Sequence, residues 1–211
     1  MVDVKLFGRS RSTYVRSARL ALEEKGVAYE LDEMSPGDNQ KEPYLSEHHP
    51  FGRIPAFQYR DFKLYETQAI IRYVDENFSG PSMQPNDVRE RAAMNQVIGI
   101  VDAYMWISAA ASIIRNQLMA PKFGLEIDHG AVELAIPKAK TCVSEIGRIL
   151  GSKPYIASSN LSLADLMVAP IVNYLRQTAF GNEFLPAHQN ILDWMARIEQ
   201  RPSGLRVLEA L

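Results

Sequence analysis

Cysteine is almost absent from this 211-residue chain: Cys142 stands alone. One thiol excludes an internal disulfide and suits a reducing compartment such as the cytoplasm. It also leaves no Cys-plus-His cluster for zinc, so no metal is expected. Charge of one sign is equally scarce. The 23 basic and 25 acidic residues nearly cancel, and no long basic block offers a surface for nucleic acid. No apolar run near the length of a membrane span is evident, so no membrane partner is expected. The first residues, Met1-Val2-Asp3-Val4-Lys5, lack the charged-then-apolar layout of a signal peptide.

What the chain does have is apolar material, 46% of it, enough for one large or two small cores. The first 78 residues alternate strand and helix patterns. Val2–Phe7 reads as a strand and Ser12–Lys25 as a helix with apolar positions at helical spacing, stopped by Gly26. Val27–Leu31 reads as a second strand, Asp32–Asn39 as a loop, and Lys41–Glu47 as a short helix. Ile54–Tyr59 and Phe62–Leu64 form a hairpin around Arg60-Asp61, and Thr67–Phe78 a helix. The order is βαβ followed by ββα.

Residues 79–87 (SGPSMQPND) hold two prolines and a glycine and read as a linker. The remainder, 88–211, has helical periodicity throughout: one or two long helices from Val88 to Pro121, another over Gly130–Leu150 that Pro137 threatens to break, and a last one over Leu185–Arg201. Ser162-Leu163-Ala164-Asp165 has the spacing of a capping box, with Leu161 and Leu166 as a hydrophobic staple. Asp165 is therefore expected to be structural. The predicted fold is an α/β domain, 1–78, joined to an all-helical domain, 88–211.

Two segments carry more than fold. One is the strand–turn–helix Val4-Lys5-Leu6-Phe7-Gly8-Arg9-Ser10-Arg11-Ser12-Thr13. The other is Pro50-Phe51-Gly52-Arg53-Ile54-Pro55-Ala56-Phe57, followed by Leu64-Tyr65-Glu66-Thr67. Ser12 stands at the expected N-terminus of the first helix, where free N–H groups and partial positive charge favour an anion. On position alone its hydroxyl is most simply a helix cap.

These segments resemble the glutathione-binding domain of the glutathione transferases, a thioredoxin-like fold, and residues 88–211 resemble that family's helical domain. The pattern "KEPYLS…PFGRIPAF…FKLYETQAII" is most similar to the serine-type, phi-like members. The resemblance implies glutathione as cosubstrate and Ser12 as the residue whose hydroxyl stabilises its thiolate, with Ser10 and Thr13 as nearby alternatives. Phe7 occupies the place where tyrosine-type relatives carry a hydroxyl, and no cysteine stands where cysteine-type relatives begin the first helix. Ile54-Pro55 is similar to the family's cis-proline site, at which the Ile54 backbone would pair with the cysteinyl unit. Glu66 would take the γ-glutamyl amine and Thr67 its carboxylate. The glycyl carboxylate falls to Asn39, Gln40, Lys41 or Arg53, although the expected His-Lys pair is missing. Arg16, one turn after Ser12, is a possible support.

The resemblance further implies a small apolar electrophile between the domains, with Tyr104, Met105 and Ile113 as candidate lining and Asp102 near the γ-glutamyl amine. It implies a cytoplasmic homodimer that conjugates glutathione, with hydroperoxide reduction as a side activity. A glutathione-dependent isomerase or dehalogenase, or a non-catalytic ligand carrier, would use the same fold.

Overall fold

The computed structural model describes residues 2–208. The chain divides into two compact units, residues 1–82 and 83–211.

The first unit is a four-stranded sheet in the order β2-β1-β3-β4: β1 Val4–Gly8, β2 Tyr29–Glu33, β3 Ala56–Tyr59 and β4 Phe62–Tyr65. β1 runs parallel to β2 and antiparallel to β3, and β3 is antiparallel to β4. Alternation along β1 sorts its side chains by face. Val4 and Leu6 are buried in the main core, whereas Phe7 points the other way and joins Tyr44, Ala56, Met34 and Ile54 in a second cluster. Helices α1 (Thr13–Glu24) and α3 (Thr67–Asn77) pack against each other, and α2 is the single turn Tyr44–Glu47. The thioredoxin-like βαβ–ββα order is thus as expected. β2 begins two residues later than predicted, because Val27 and Ala28 lead into an edge strand whose own residues are largely polar.

Buried between α1 and α3, Lys25 Nζ lies 2.9 Å from Asp75 Oδ1, with both side chains almost wholly removed from solvent. A buried pair of this kind satisfies both charges only while both members are present.

The second unit is helical. Its first helix, α4 (Val88–Phe123), is continuous over 36 residues and is capped by the Asp87 carboxylate, which accepts from the N–H groups of Arg89 and Glu90. Over Val101–Met119 its turns widen so that each N–H reaches five residues back; the N–H of Ala120 donates to the Arg115 carbonyl. This helix corrects one sequence expectation. It contains an 18-residue window of mean hydropathy 1.8, long and apolar enough by composition to cross a membrane. Alanines and serines interleave its large residues and hide the run from inspection. The helix packs along α5 (His129–Leu150) and α6 (Leu163–Leu175), and Val101, Met105, Ala109 and Ile113 are fully buried there. Its apolar side is the core of this unit.

Pro137 lies inside α5 without ending it. Two short helices, α7 (Ala179–Phe184) and α9 (Pro202–Val207), flank α8 (Gln189–Glu199), which is shorter than the helix the sequence predicts over Leu185–Arg201. The Ser162–Asp165 box is present and reaches further than a cap. Asp165, wholly buried, accepts from Ser162 N at 2.8 Å, Ser162 Oγ at 2.7 Å, Ile156 N at 2.9 Å and Trp194 Nε1 at 2.7 Å. It joins the start of α6 to the preceding loop and to α8. Burial raises its carboxyl above the ordinary carboxylate value, against the pull of those donors.

Candidate active site

The strand register decides which predicted residues can meet. Gly8 at the end of β1 is paired with Glu33 at the end of β2. Phe7 faces Ala56 at the start of β3, and Ala56 faces Tyr65 at the end of β4. The segments that follow β1, precede β3, and follow β2 and β4 therefore all emerge at one end of the sheet. Ser12, Asn39–Lys41, Arg53–Pro55 and Glu66-Thr67 belong to those four segments.

Ser12 is the residue preceding α1, with extended backbone angles (φ −68°, ψ 132°), and its side chain makes no capping hydrogen bond. Its N–H donates to the Arg9 carbonyl at 2.9 Å, closing a tight turn, and its carbonyl accepts the first helical rung from Arg16 at the same distance. The N–H groups ahead of that rung point out of the helix end, and no acidic residue occupies the first turn to compete for them. The simple capping role is thus not the one its hydroxyl plays. Of the alternatives, Ser10 is occupied: its N–H donates to both oxygens of Glu33 at 3.0 and 3.1 Å and its hydroxyl to Oε1 at 3.1 Å. Thr13 is buried. Arg16, one turn on, is buried, only 4% exposed.

The Ile54–Pro55 bond is cis, and Ile54 lies just beyond the last β1–β3 pair. Glu66 precedes α3 with φ +70°, a left-handed conformation uncommon for a non-glycine residue and one that concentrates at functional sites. Glu66 holds the cap position. Its carbonyl accepts from Ala69 and Ile70, and Thr67, buried, is the first helical residue.

The residues proposed for the glycyl carboxylate divide. The Asn39 side chain is buried; its Nδ2 donates to the Gly52 carbonyl at 2.6 Å and its Oδ1 accepts from Arg9 Nη1 at 3.1 Å. Gln40 Nε2 donates to the same carbonyl. Each amide thus spends one N–H on the Gly52 carbonyl; Asn39 is buried, whereas Gln40 is exposed. Lys41 is exposed and pairs with Asp38 at 3.2 Å. Arg53 is exposed, and among the described residues its guanidinium forms no ion pair.

His49 is a further residue at this end of the sheet, close to Glu66 and Arg53. It is 1% exposed, its Nδ1 has no hydrogen-bond partner, and its ring packs on Tyr65 at 4.8 Å and edge-on to Phe51. Burial lowers its pKa; the nearby Glu66 carboxylate opposes that shift and Arg53 adds to it.

In the helical unit, Met105 and Ile113 are core residues with no exposed surface, so neither forms the wall of a binding site. Tyr104 is half exposed and lines a groove of about 400 Å³ between α4 and α5 with Ile107, Ser112, Leu134 and Lys138. Asp102, half-buried, lies two residues into the widened stretch of α4.

Two family models match the chain: the glutathione S-transferase N-terminal domain over residues 6–82 and the C-terminal domain over residues 130–197. Glutathione S-transferase F7 of Arabidopsis thaliana is 30% identical over 99% of this chain and 100% of its own length. The chain belongs to the glutathione S-transferase family. Solved relatives agree in fold. Glutathione transferase F7 from Populus trichocarpa superposes with a TM-score of 0.84 over 97% of both chains at 27% identity. Glutathione S-transferase I from maize, in complex with an atrazine glutathione conjugate, superposes with a TM-score of 0.82 over 98% of this chain and 96% of that one, again at 27%. The similarity to plant F-type members is consistent with the serine-type, phi-like pattern around Ser12, and membership makes this protein a transferase with glutathione as its cosubstrate.

Proposed function

We propose that this transferase activates glutathione through Ser12 and conjugates it to small apolar electrophiles. The observation that carries the reading is the state of the two serine hydroxyls: Ser10's is held by Glu33, while Ser12's makes no cap at the start of α1. A hydroxyl there donates to a thiolate and needs no general base. A hydrogen bond to a charged acceptor is worth about 1.5–3 kcal/mol, which lowers a thiol pKa by roughly one to two units. A cysteine-like thiol near 8.5 is then largely ionised at neutral pH. The released proton goes to solvent. The sulfur forms a bond to the electrophilic carbon, and either a leaving group departs with its electron pair or the adduct takes a proton. The maize relative bound to an atrazine conjugate supports the displacement form. The same thiolate attacking a hydroperoxide oxygen breaks the O–O bond, releasing the alcohol after protonation and leaving glutathione as its sulfenic form, which a second glutathione converts to the disulfide and water; this is the peroxidase side activity.

The rest of glutathione is read from the same end of the sheet. Thr67 and the N-terminus of α3 take the γ-glutamyl carboxylate and Glu66 the amine; the Ile54 backbone takes the cysteinyl unit; Arg53 and Lys41 supply cations for the glycyl carboxylate. Arg16 is a supporting position. A cytoplasmic setting, rich in free thiols, suits the reaction.

The working form is a homodimer. Two uncovered apolar surfaces support this: Phe51, 70% exposed and packed edge-on to His49 and Tyr65, and the α4–α5 groove with Ile107 58% and Leu134 84% exposed. Sedimentation of wild type and Phe51→Ala tests it. A wild-type dimer that dissociates in the variant is expected; a wild-type monomer overturns the dimer reading. Conjugation assayed with glutathione and an aryl chloride tests the activity itself, and saturable glutathione binding without turnover favours the ligand carrier.

A further inference from the structure

Asn39 and Arg9 lie thirty residues apart, yet they join the two segments that matter most to the thiolate. Arg9 has two roles in one turn. Its carbonyl receives the Ser12 N–H at 2.9 Å, and its guanidinium donates to Asn39 Oδ1 at 3.1 Å. The other end of the Asn39 amide donates to the Gly52 carbonyl at 2.6 Å. Only one orientation of that amide satisfies both contacts, since a reversed one would set oxygen against the Gly52 carbonyl and nitrogen against the guanidinium. Gly52, in turn, stands two residues before Ile54 and is itself constrained. It has φ +59°, and a Cβ there would come within 2.6 Å of Gln40 Nε2 and 2.8 Å of the Asn39 carbonyl oxygen.

We infer that Asn39 is a positioning residue for thiolate formation: through Arg9 it fixes the turn that aims the Ser12 hydroxyl, and through Gly52 it holds that turn in register with the Ile54–Pro55 segment. The inference rests on the reading of Ser12 as the thiolate's donor. It differs from a ligand role for Asn39, because both polar atoms of the side chain are already engaged and the residue is buried. A shift of the Ser12 hydroxyl matters because hydrogen bonds weaken steeply as their angle closes. A slack turn therefore leaves glutathione bound but less ionised.

The test is a pH titration of the thiolate absorbance of bound glutathione, with S-methylglutathione binding as a parallel measure of contacts that do not involve the thiol. In Asn39→Ala the bound-thiol pKa should rise by about one unit, a roughly tenfold loss of thiolate below the pKa, while S-methylglutathione affinity changes far less. Arg9→Met should raise the pKa similarly, and the double variant should match either single one, as expected when two residues act as one link. Asn39→Asp, which keeps the acceptor for Arg9 but loses the donor to Gly52, should fall between wild type and Asn39→Ala. If Asn39→Ala does not fold, Asn39→Asp and Arg9→Met carry the test. An unmoved pKa with weakened S-methylglutathione binding would make Asn39 a ligand and overturn the inference. Additive shifts in the double variant would overturn it too, since Arg9 would then be acting by its own charge. Ser12→Ala serves as the control. If its pKa shifts while the Asn39 and Arg9 variants do not, only this inference fails; if Ser12→Ala leaves the pKa unmoved, the Ser12 reading fails first.

Discussion

Ser10 gives both its N–H and its hydroxyl to the carboxylate of Glu33, two residues before the serine whose hydroxyl makes no cap. The sequence offered Ser10 and Ser12 as near-equivalents, and only the turn separates them. Ser10→Ala should therefore keep most of the conjugation activity. It removes one exposed hydrogen bond and leaves the N–H contact to Glu33 intact, a loss of about 1 kcal/mol or less. Steady-state kinetics at neutral pH check this; a collapse of kcat in Ser10→Ala with normal activity in Ser12→Ala would reverse the assignment.

Asp165 should be the most sensitive single position in the helical unit. Asp165→Ala leaves the N–H groups of Ile156 and Ser162, the Ser162 hydroxyl and the Trp194 indole without their acceptor, all in a buried setting. The expected loss is about 4 kcal/mol or more. Asp165→Asn retains one acceptor oxygen and should cost distinctly less. Urea unfolding of both variants gives the comparison, and equal losses would show that the network is not what matters.

The Lys25–Asp75 pair predicts a cycle. Removing one partner strands a buried charge, so Lys25→Met and Asp75→Leu should each destabilise by about 3–5 kcal/mol. The double variant Lys25→Met with Asp75→Leu should be close to wild type, because the site becomes apolar. Thermal unfolding of the three proteins tests this. A double variant as unstable as the sum of the singles would mean that the pair contributes packing alone.

Acid sensitivity follows from His48 and His49. Burial lowers the pKa of both; at His48 Lys63 adds to the shift and Glu47 and Asp32 oppose it. A lowered folded-state pKa means that the unfolded chain binds more protons between that value and about 6.5. Stability should therefore be fully present above pH 6.5 and fall as pH drops through the folded pKa values. His49→Asn should flatten that slope. Urea midpoints measured across this range supply the test, and an unchanged slope in the variant would place the acid sensitivity elsewhere.

Much of this architecture is legible because local pattern and global fold agree. The helical spacing after Ser12, the hairpin around Arg60-Asp61 and the Ser162–Asp165 box each depend on neighbours within a few residues. What escaped depends on distant ones. The contacts of Asn39 and Gln40 with the Gly52 carbonyl, more than ten residues on, leave no mark in the local sequence. Met105 and Ile113 look like the wall of a pocket because an apolar residue on a helix reads the same whether it lines a cavity or packs against α5 and α6; both have no exposed surface. His49 packs on the ring of Tyr65, which lies sixteen residues further along the chain and leaves no mark beside it in the sequence. The short helix Ala179–Phe184 hides behind its glycine, although Thr178 caps it through the Gly181 N–H.

The central claim is that the Ser12 hydroxyl lowers the pKa of bound glutathione, and the most direct measurement is an ultraviolet difference titration of the bound thiol against pH in wild type and Ser12→Ala. A thiolate signal that persists in wild type well below the free-thiol value of about 8.5, and that moves up by roughly one to two units in the variant, is the predicted result. A variant that binds glutathione and ionises it at the same pH as wild type would contradict it.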